Sequence, residues 1–473
     1  MVIGIFGLMK MRPRIAIGKA NTSHKKKIFD NLRVQSILQT IYIILTLHKD
    51  HKDMVVLTER RNHMKRTYTV VFGALMLALS FPLVGSAQDR KADPDFIRAR
   101  QLFFGAENVD PHSGRVKHDK VIFSWFTNSS YAVSLKGRVI LLDSYIHRAE
   151  TIPGRTPFVV EDLVSLRPEA IFLGHGHFDH ADNAAFVAGT LGIPIYASQE
   201  TCVAMQQDAM DLFNKKVIQS PTVDCRDVTT TGSTPGAEIV NIDQLEPLAC
   251  ITAFRHLHST TVPQDTDFPI VPVINDADPR DPMIYPPGIA HSYPTSGVGG
   301  GGPISILYQF RLRHDNKFTF VWHNTTGAIK EGCGLDQCWG PAVGQHLTEI
   351  MQSLPSTDIE LGSMVSLGFG TNGMRDPILY QLAIQPKVYI PVHQTNAAMP
   401  TSSLRFKTSY FQQLDAMNVP QDQRPEARWV VDPNEYLKPQ VYDPRDDRWE
   451  KPDRDKRNTL GVCTPHDRDH DKR

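Results

Sequence analysis

The chain has 473 residues, enough for one large domain or two ordinary ones, and its composition is that of an ordinary globular protein. Its formal net charge is +0, but residues 1–87 hold 14 Lys and Arg against 4 Asp and Glu, whereas the remaining residues hold 37 against 47. A region with that excess of acidic groups binds the phosphate backbone poorly, so we expect no nucleic-acid partner.

Residues 64–87 have the layout of an export signal. Met64 opens a short basic segment, an apolar run follows from Val70 to Val84, and Ala87 ends a small-residue site. This order predicts a signal peptide cleaved after Ala87 and a periplasmic or secreted protein. The apolar run is short for a membrane span, so we expect membrane attachment only if the leader stays uncleaved.

Residues 1–63 form an upstream extension that fits no class well. The extension is basic and contains one apolar stretch, from Ile37 to Leu47. A signal peptide does not normally begin this far into a protein. Either Met64 is the true start and the extension is not translated, or the extension is a cytoplasmic segment ahead of an anchor helix.

Strands and helices alternate from residue 118 onward. The predicted strands lie within 118–143 and over 170–173, 193–197, 249–254, 304–310, 317–322 and 387–392, and the predicted helices over 159–166, 182–191 and 343–354. This alternation predicts a layered α/β architecture for a domain spanning residues 95–440.

Two segments interrupt or follow this pattern. Residues 259–303 are rich in Pro, Asp and Gly and end in four consecutive glycines, Gly299 to Gly302. We expect an insertion that acts as a lid or is disordered, with the glycines as a flexible hinge before the next strand. No Lys-Ser/Thr follows the glycines, so a phosphate-binding P-loop is excluded. Residues 441–473 mix charges with few apolar residues and predict a loosely attached tail.

Six cysteines lie beyond the leader, an even number that permits disulfides in an exported protein. Cys333 and Cys338 are close enough in sequence to bridge across a short loop, and Cys202 with Cys225 is a second candidate pair. The alternative is six reduced, buried thiols.

The segment His175–His180 reads His-Gly-His-Phe-Asp-His and follows the apolar run 170–173. An extended His-x-His places two imidazoles on the same side of the backbone, and the following Asp-His can turn toward a second cation. Zinc prefers this mixture of nitrogen and carboxylate ligands. Because open α/β sheets place their sites at strand ends, we interpret the segment as a metal site rather than a polar loop.

This segment resembles the His-x-His-x-Asp-His signature of the metallo-β-lactamase fold superfamily, and the resemblance covers most of residues 118–400. It implies an α/β fold of the four-layer αβ/βα sandwich type, with the site along one edge of two sheets. It also implies one or two zinc ions. The first takes His175, His177 and a later His, and the second takes Asp179, His180 and a His near the end of the domain.

The two remaining histidines follow later strands. His258 and His256 both follow the strand 249–254, and His258 is favoured because His258-Ser259 resembles the family element. His256 could serve instead, and the one that is not a ligand would orient a ligand from behind. His393 ends a strand-Pro-x-His element similar to the last one in the family.

One position departs from the family pattern. Most hydrolases of the fold carry Gly-Asp-Thr where this chain has His323-Asn324-Thr325, so Asn324 takes the place of the bridging Asp. A neutral amide is a weak zinc ligand, so the site holds either two cations joined only by a hydroxide or a single metal. His323 could also swing in as a ligand. The family's counterpart of Asp143 supports the His cluster, and a turn or capping role is the alternative.

The resemblance implies a zinc-dependent hydrolase in which a metal-bound hydroxide attacks the substrate and Asp179 orients the nucleophile and relays its proton. Segments 354–358 and 386–393 look like the lactonase-like and N-acyl-phosphatidylethanolamine phospholipase-like branch. We therefore expect an exported enzyme that acts on a small-molecule lactone or other ester.

Three alternatives stay open at this point. The His-His-His and Asp-His-His ligand sets also suit a metallo-β-lactamase that hydrolyses β-lactam amides. The neutral Asn324 suits a non-catalytic metal- or ligand-binding protein on the same fold. A non-haem iron redox protein is permitted by the ligands, although no flavin domain is evident. The oligomeric state is not predicted.

Overall fold

The computed structural model describes residues 93–146, 159–261, 264–273, 293, 301–313, 318–364, 366–393, 406–429, 437–450 and 457–463. The predicted extension 1–63, the signal peptide 64–87 and much of the insertion 259–303 lie outside these ranges. Within them, no helix is long and apolar enough to cross a bilayer.

The described part of the chain folds into alternating strands and helices. The strands are β1 (Val121–Thr127), β2 (Ser130–Leu135), β3 (Arg138–Leu142), β4 (Ile171–Phe172), β5 (Ile195–Ser198), β6 (Cys225–Thr229), β7 (Ile239–Ile242), β8 (Ala249–His256), β9 (Ser305–Leu312), β10 (Thr319–His323), β11 (Ile359–Ser363), β12 (Val388–Val392), β13 (Glu426–Ala427) and β14 (Gln440–Tyr442). The helices are α1 (Pro94–Phe104), α2 (Val160–Ser165), α3 (Phe178–Ala181), α4 (Ala184–Leu191), α5 (Gln199–Asn214), α6 (Pro341–Ser353), α7 (Phe369–Asn372), α8 (Arg375–Ile384) and α9 (Lys407–Ala416), with 3₁₀ turns at Ala106–Asn108, Gln421–Gln423 and Asp447–Trp449.

The described strands form two sheets of seven. The first has the order β14-β1-β2-β3-β4-β5-β6 and the second β13-β12-β11-β10-β9-β8-β7. Strands β3 to β6 run parallel, as do β10 to β13. The carboxyl ends of the parallel strands in each sheet therefore lie at one edge, where α/β sheets place their sites.

The side-chain alternation of β10 shows where the core lies. Phe320 and Trp322 join the large cluster between the sheets, where the rings of Phe320 and Phe123 are 5.0 Å apart. Val321 points to the opposite face and belongs to a second buried cluster, which includes Leu347 of α6. Helices thus cover the outer face of the second sheet, and α1, α2, α4 and α5 contribute buried residues to the large cluster. The predicted four-layer sandwich is confirmed.

Local sequence explains several helix ends. Ser198 caps α5, because its side chain accepts a hydrogen bond from the Thr201 amide at 3.2 Å. Helix α4 ends at Gly192, whose φ of 69° lies in the left-handed region. The helix predicted over 182–191 begins two residues later than expected, at Ala184.

The expectation of a loosely attached tail is wrong for its described part. Strand β14 pairs with β1, the fully buried ring of Trp449 packs 5.1 Å from Phe318, and Cys463 bonds to Cys250. A few apolar residues and one disulfide attach a segment whose average composition is polar, and average composition does not reveal such anchors.

All six cysteines are paired. The pairs Cys202–Cys225 and Cys333–Cys338 confirm the two candidates, and the alternative of six reduced thiols is wrong. The third pair, Cys250–Cys463, joins residues 213 apart in sequence.

Candidate metal centre

The predicted ligands come from strand ends that meet at one place. His175 and His177 follow β4, and Asp179 and His180 lie on the short helix α3. His258 follows β8 and His393 follows β12. Segments more than 200 residues apart in sequence are thereby brought together at the edge of the two sheets.

His175, His177 and His258 form the first cluster. Their ligand atoms lie within 4.8 Å of one another, and His175 Nε2 is 3.0 Å from His177 Nδ1. The ring of His258 is 4.6 Å from that of His175 and 4.9 Å from that of His177. The favoured choice of His258 thus lies where a third ligand is needed.

Asp179, His180 and His393 form the second cluster. His180 Nε2 is 3.2 Å from His393 Nε2, and Asp179 Oδ2 is 3.4 Å and 3.5 Å from these two nitrogens. The two clusters are adjacent, since the rings of His175 and His180 are 4.0 Å apart.

Both clusters fit a small divalent cation. Ligand bonds of about 2.0–2.1 Å in a tetrahedron put neighbouring donor atoms roughly 3.3 Å apart. The observed separations of 3.0 to 3.5 Å surround this value. Each cluster offers three protein ligands, which leaves an open position of the kind that catalytic zinc sites have.

Burial keeps most of the imidazoles neutral, which is the form that binds metal. Burial lowers the pKa of His258 to about 3 and that of His393 to about 4, and it holds the pKa of His175 well below its usual value. Burial also opposes the charged form of His180, but the carboxylates of Asp179 and Asp143 outweigh it and raise its pKa to about 10. A cation in the second cluster must therefore displace a proton from His180.

Asp143 lies behind the second cluster, as the orienting role requires. Its Oδ2 is 2.7 Å from His180 Nδ1, so Nε2 of His180 is left to face His393. Asp143 has a φ of 53° and its Oδ1 accepts the Gly174 amide at 3.1 Å. The carboxylate is completely buried, so the alternative of a simple turn residue does not describe its contacts.

Asn324 does not bridge the clusters. Its Oδ1 lies 2.8 Å from His175 Nδ1 and its Nδ2 donates to Asp143 Oδ2 at 2.9 Å. The contact with His175 is on Nδ1, the side of the ring away from Nε2, which faces His177. Of the two possibilities for Asn324, a metal ligand or a residue behind the ligands, the structure shows the second.

His256 and His323 lie outside both clusters, which rules out their alternative roles as ligands in this arrangement. His323 Nε2 is 2.9 Å from Glu360 Oε1, and His256 Nδ1 is 3.3 Å from the Tyr380 hydroxyl. The side chains alternate along β8, so His256 and His258 cannot both reach one ligand shell unless the strand stays extended to 258. The strand ends at His256.

The final glycines of the insertion pair with the metal motif. The Gly176 amide donates to Gly302 and the Gly301 amide donates to Gly176, each at 3.0 Å. A Cβ at Gly176 would come within 2.4 Å of Gly301 Cα, so these backbones need glycine. The interpretation of the glycines as a flexible hinge is wrong for Gly301 and Gly302, which hold the His-x-His loop.

Sequence reasoning missed Asn128 and Ser129 in the turn between β1 and β2. The Ser129 hydroxyl donates to Asp143 Oδ2 at 2.7 Å and lies 2.9 Å from His180 Nδ1. The Asn128 amide donates to the Asp179 backbone carbonyl at 2.8 Å. A polar pair between two apolar strands is also the ordinary composition of a hairpin turn, so the sequence carried little signal.

Comparison with known proteins finds a family model that matches part of this site. Residues 124–264 match the model of the metallo-beta-lactamase superfamily, and this range contains the His175–His180 motif and His258. The matched residues make up less than a third of the chain. A "UPF0173 metal-dependent hydrolase" from Pyrobaculum neutrophilum is 29% identical over 76 residues, which are 16% of this chain and 32% of that protein. The chain thus spans about a third of the length of this curated relative.

Two solved structures are similar to this chain at low sequence identity. Igni18, a metallo hydrolase from Ignicoccus hospitalis, is 13% identical with a TM-score of 0.38, and the match covers 68% of this chain and 98% of that one. Zinc-bound PqqB from Methylobacterium extorquens is 13% identical with a TM-score of 0.31, over 64% and 85% of the two chains. These similarities concern the fold alone.

Proposed function

We propose that this protein is an exported, zinc-dependent hydrolase that cleaves a lactone or another ester of a small molecule. The observation that carries the proposal is the convergence of His258 and His393 on the His175–His180 motif in two adjacent three-ligand clusters. The relative named as a metal-dependent hydrolase supports the same general chemistry.

Six residues would bind the metal ions, and one of them, Asp179, would also transfer a proton. His175, His177 and His258 would hold one ion, and Asp179, His180 and His393 the other. Zinc supplies a Lewis acid that polarises a carbonyl oxygen and makes water more acidic. The Asp179 carboxylate would hold the ion through Oδ2, and its other oxygen, Oδ1, would orient the attacking water and accept its proton.

Two features favour a neutral ester over a phosphodiester. Asn324 adds no negative charge, and its amide is engaged by His175 and Asp143 rather than directed between the clusters. The transition state of phosphodiester cleavage carries more negative charge than that of ester cleavage. A pair of metal ions held together by a bridging carboxylate stabilises this charge better. β-Lactam hydrolysis is the second candidate, because the observed ligand sets are His-His-His and Asp-His-His.

Ser129, Asp143 and His180 do not form a competing nucleophilic triad. The Ser129 hydroxyl is completely buried and contacts Nδ1 of His180, on the side of the ring away from His393. A nucleophile must reach the substrate, so this serine supports the imidazole rather than attacking.

Export is supported by the leader and by the cysteines. The leader has the basic, apolar and small-residue parts of a signal peptide, and three disulfides are typical of oxidising compartments. N-terminal sequencing of the protein recovered from the periplasm or medium should begin at Gln88. Recovery only from the cytoplasm would contradict export.

The reaction is tested with the chain from Gln88 onward, purified with zinc and assayed on lactones, simple esters, phosphodiesters and β-lactams. We expect turnover of lactones or esters that a chelator abolishes and zinc restores. The control is Asp179→Asn, which should remove turnover while the protein stays folded. Turnover of β-lactams alone would favour the second candidate, and bound metal without any turnover would favour a binding protein.

A further inference from the structure

Asn128 lies at the junction of the second cluster and the first sheet. It occupies the turn between β1 and β2, is completely buried, and has a φ of 46°. Asn tolerates this left-handed conformation better than most residues, because its short polar side chain can bond locally. Here the side chain instead reaches residue 179.

The amide group of Asn128 is directed at Asp179. Nδ2 donates to the Asp179 backbone carbonyl at 2.8 Å and to Asp179 Oδ2 at 3.2 Å. Both partners are acceptors, so the opposite orientation of the amide would set its oxygen against two oxygens. The hydrogen-bond chemistry therefore fixes which end of the amide faces Asp179.

The backbone of the same residue contacts the other end of the cluster. The Asn128 carbonyl accepts the His393 amide at 3.2 Å and the Trp125 indole N–H at 3.0 Å. His393 itself has a φ of 68°, so its position after β12 depends on such contacts rather than on regular structure. Asn128 thus touches two members of the second cluster that are 214 residues apart in sequence.

The amide oxygen of Asn128 makes no hydrogen bond that would explain its burial. Its Oδ1 is buried and has no hydrogen-bond donor among the described residues. Buried acceptors are rarely left unpaired, since a buried polar atom without a hydrogen bond has lost its bonds to water and gained nothing in return. A residue kept only for the stability of the turn would have both ends of its amide satisfied.

We infer that Asn128 is a positioning residue for the second metal cluster. Its N–H occupies one lone-pair direction of Asp179 Oδ2 and leaves the other for an ion held with His180 and His393, while the Asn128 carbonyl accepts the backbone N–H of His393. The amide does this without adding charge, so the charge of the carboxylate remains available to a cation. The inference rests on the proposed metal-dependent function but concerns only how this cluster is assembled.

The test removes the amide and keeps the backbone. Asn128→Gly removes the side chain but allows the left-handed φ and keeps the backbone carbonyl, and Asn128→Ala keeps the Cβ and removes only the amide group. Each purified, metal-free variant is titrated with Co²⁺ and Zn²⁺ against a competing chelator, with the Co²⁺ absorption spectrum as a second readout. We expect the ion that depends on Asp179 to bind about 10–100-fold more weakly and its Co²⁺ bands to shift. The ion at His175, His177 and His258 should be unchanged.

Asn418→Gly is the matched control, because Asn418 has a φ of 52°, is exposed, and lies after α9. It should leave both binding steps unaltered. The Asp179→Asn variant identifies which step belongs to the second cluster. Equal weakening of both steps, or wild-type binding in a folded Asn128→Gly variant, would overturn the inference. The inference would also be overturned if the Asp179→Asn variant bound as many ions as the wild-type chain. Hydrolysis by the wild-type chain is measured separately, so a failed assay would count against the proposed function and not against this inference.

Discussion

Asn324 Oδ1 lies 2.8 Å from Nδ1 of His175, and this contact shows how the chain uses a neutral amide beside the first cluster. Because the amide oxygen only accepts, Nδ1 of His175 must carry the proton and Nε2 is left to face His177. The other end of the amide donates to Asp143, which in turn holds His180. One neutral side chain therefore orients a ligand in each cluster.

A carboxylate at position 324 should destabilise the folded protein. Asn324→Asp places a negative charge 2.9 Å from Asp143 Oδ2 and removes the donor between them. We expect the free energy of unfolding of the metal-free protein to fall by about 3 kcal/mol or more, because an unpaired charge is buried. Urea denaturation measures this, with exposed Asn418→Asp as the control. Unchanged stability together with new phosphodiesterase activity would show that the residue turns between the clusters.

The two histidines that follow β8 should behave differently. His258→Ala should lower bound zinc by one equivalent per chain, because it removes one of three ligands from the first cluster. His256→Ala should keep the metal content, since His256 contacts Tyr380 and His323 instead. Metal analysis after dialysis measures the zinc content of both variants. His256→Ala is a matched control, because each variant loses one buried imidazole ring. Equal loss of zinc would contradict the assignment of His258.

The metal-free protein should be destabilised by acid. The folded-state pKa values of His258 and His393 are about 3 and 4, below the ordinary 6.5, so the unfolded chain binds more protons between these limits. Their contribution to stability is therefore fully present above pH 6.5 and is lost as the pH falls toward 3. His180 acts in the opposite direction, because its raised pKa of about 10 makes its contribution fade as the pH rises from 6.5 to 10.

Urea midpoints measured with chelator at pH 5, 7 and 9 test this expectation. We expect the midpoint to be highest near neutrality, and His258→Asn should flatten the acid side of the profile. A midpoint that rises from pH 7 to pH 5 would be inconsistent with buried neutral imidazoles. His346→Asn is the control, since His346 lies on α6 outside both clusters.

The disulfides should differ in how much they contribute to the free energy of unfolding. Replacing both Cys250 and Cys463 by Ser opens a loop of 213 residues, and replacing Cys202 and Cys225 opens one of 23. Loop-closure entropy predicts costs of about 5 and about 3 kcal/mol respectively. Denaturation under oxidising conditions measures both, and equal costs would mean that unfolded-state entropy is not the main term.

The glycine contact between the motif and the insertion gives a further test. Gly176→Ala would place a Cβ 2.4 Å from Gly301 Cα, so the His-x-His loop must shift. We expect reduced zinc affinity in the first cluster and a lower thermal midpoint. Gly370→Ala is the control, because no atom lies within 4 Å of the added Cβ there. Wild-type metal affinity in Gly176→Ala would show that the pairing is not required.

Local sequence patterns were sufficient to predict many of the strands and helices. Strands such as β1 and β12 and the helix ending at Gly192 are read from apolar runs and from a left-handed glycine, because these signals act over a few neighbouring residues. The spacing of His175, His177, Asp179 and His180 was likewise enough to predict a metal site, since four ligands within six residues have few other uses.

The sequence by itself therefore determined the layered fold and the short ligand motif, and it offered two of the three cysteine pairs as candidates. Only the tertiary structure confirmed those pairs, decided between His256 and His258, set Asn324 behind the ligands, anchored the polar C-terminal segment through Cys463, and brought Asn128 against Asp179. The physical reason is that these outcomes depend on contacts between residues far apart in the chain. Such contacts follow from how two sheets pack and where their strands end, and neither is encoded in the periodicity of any single segment.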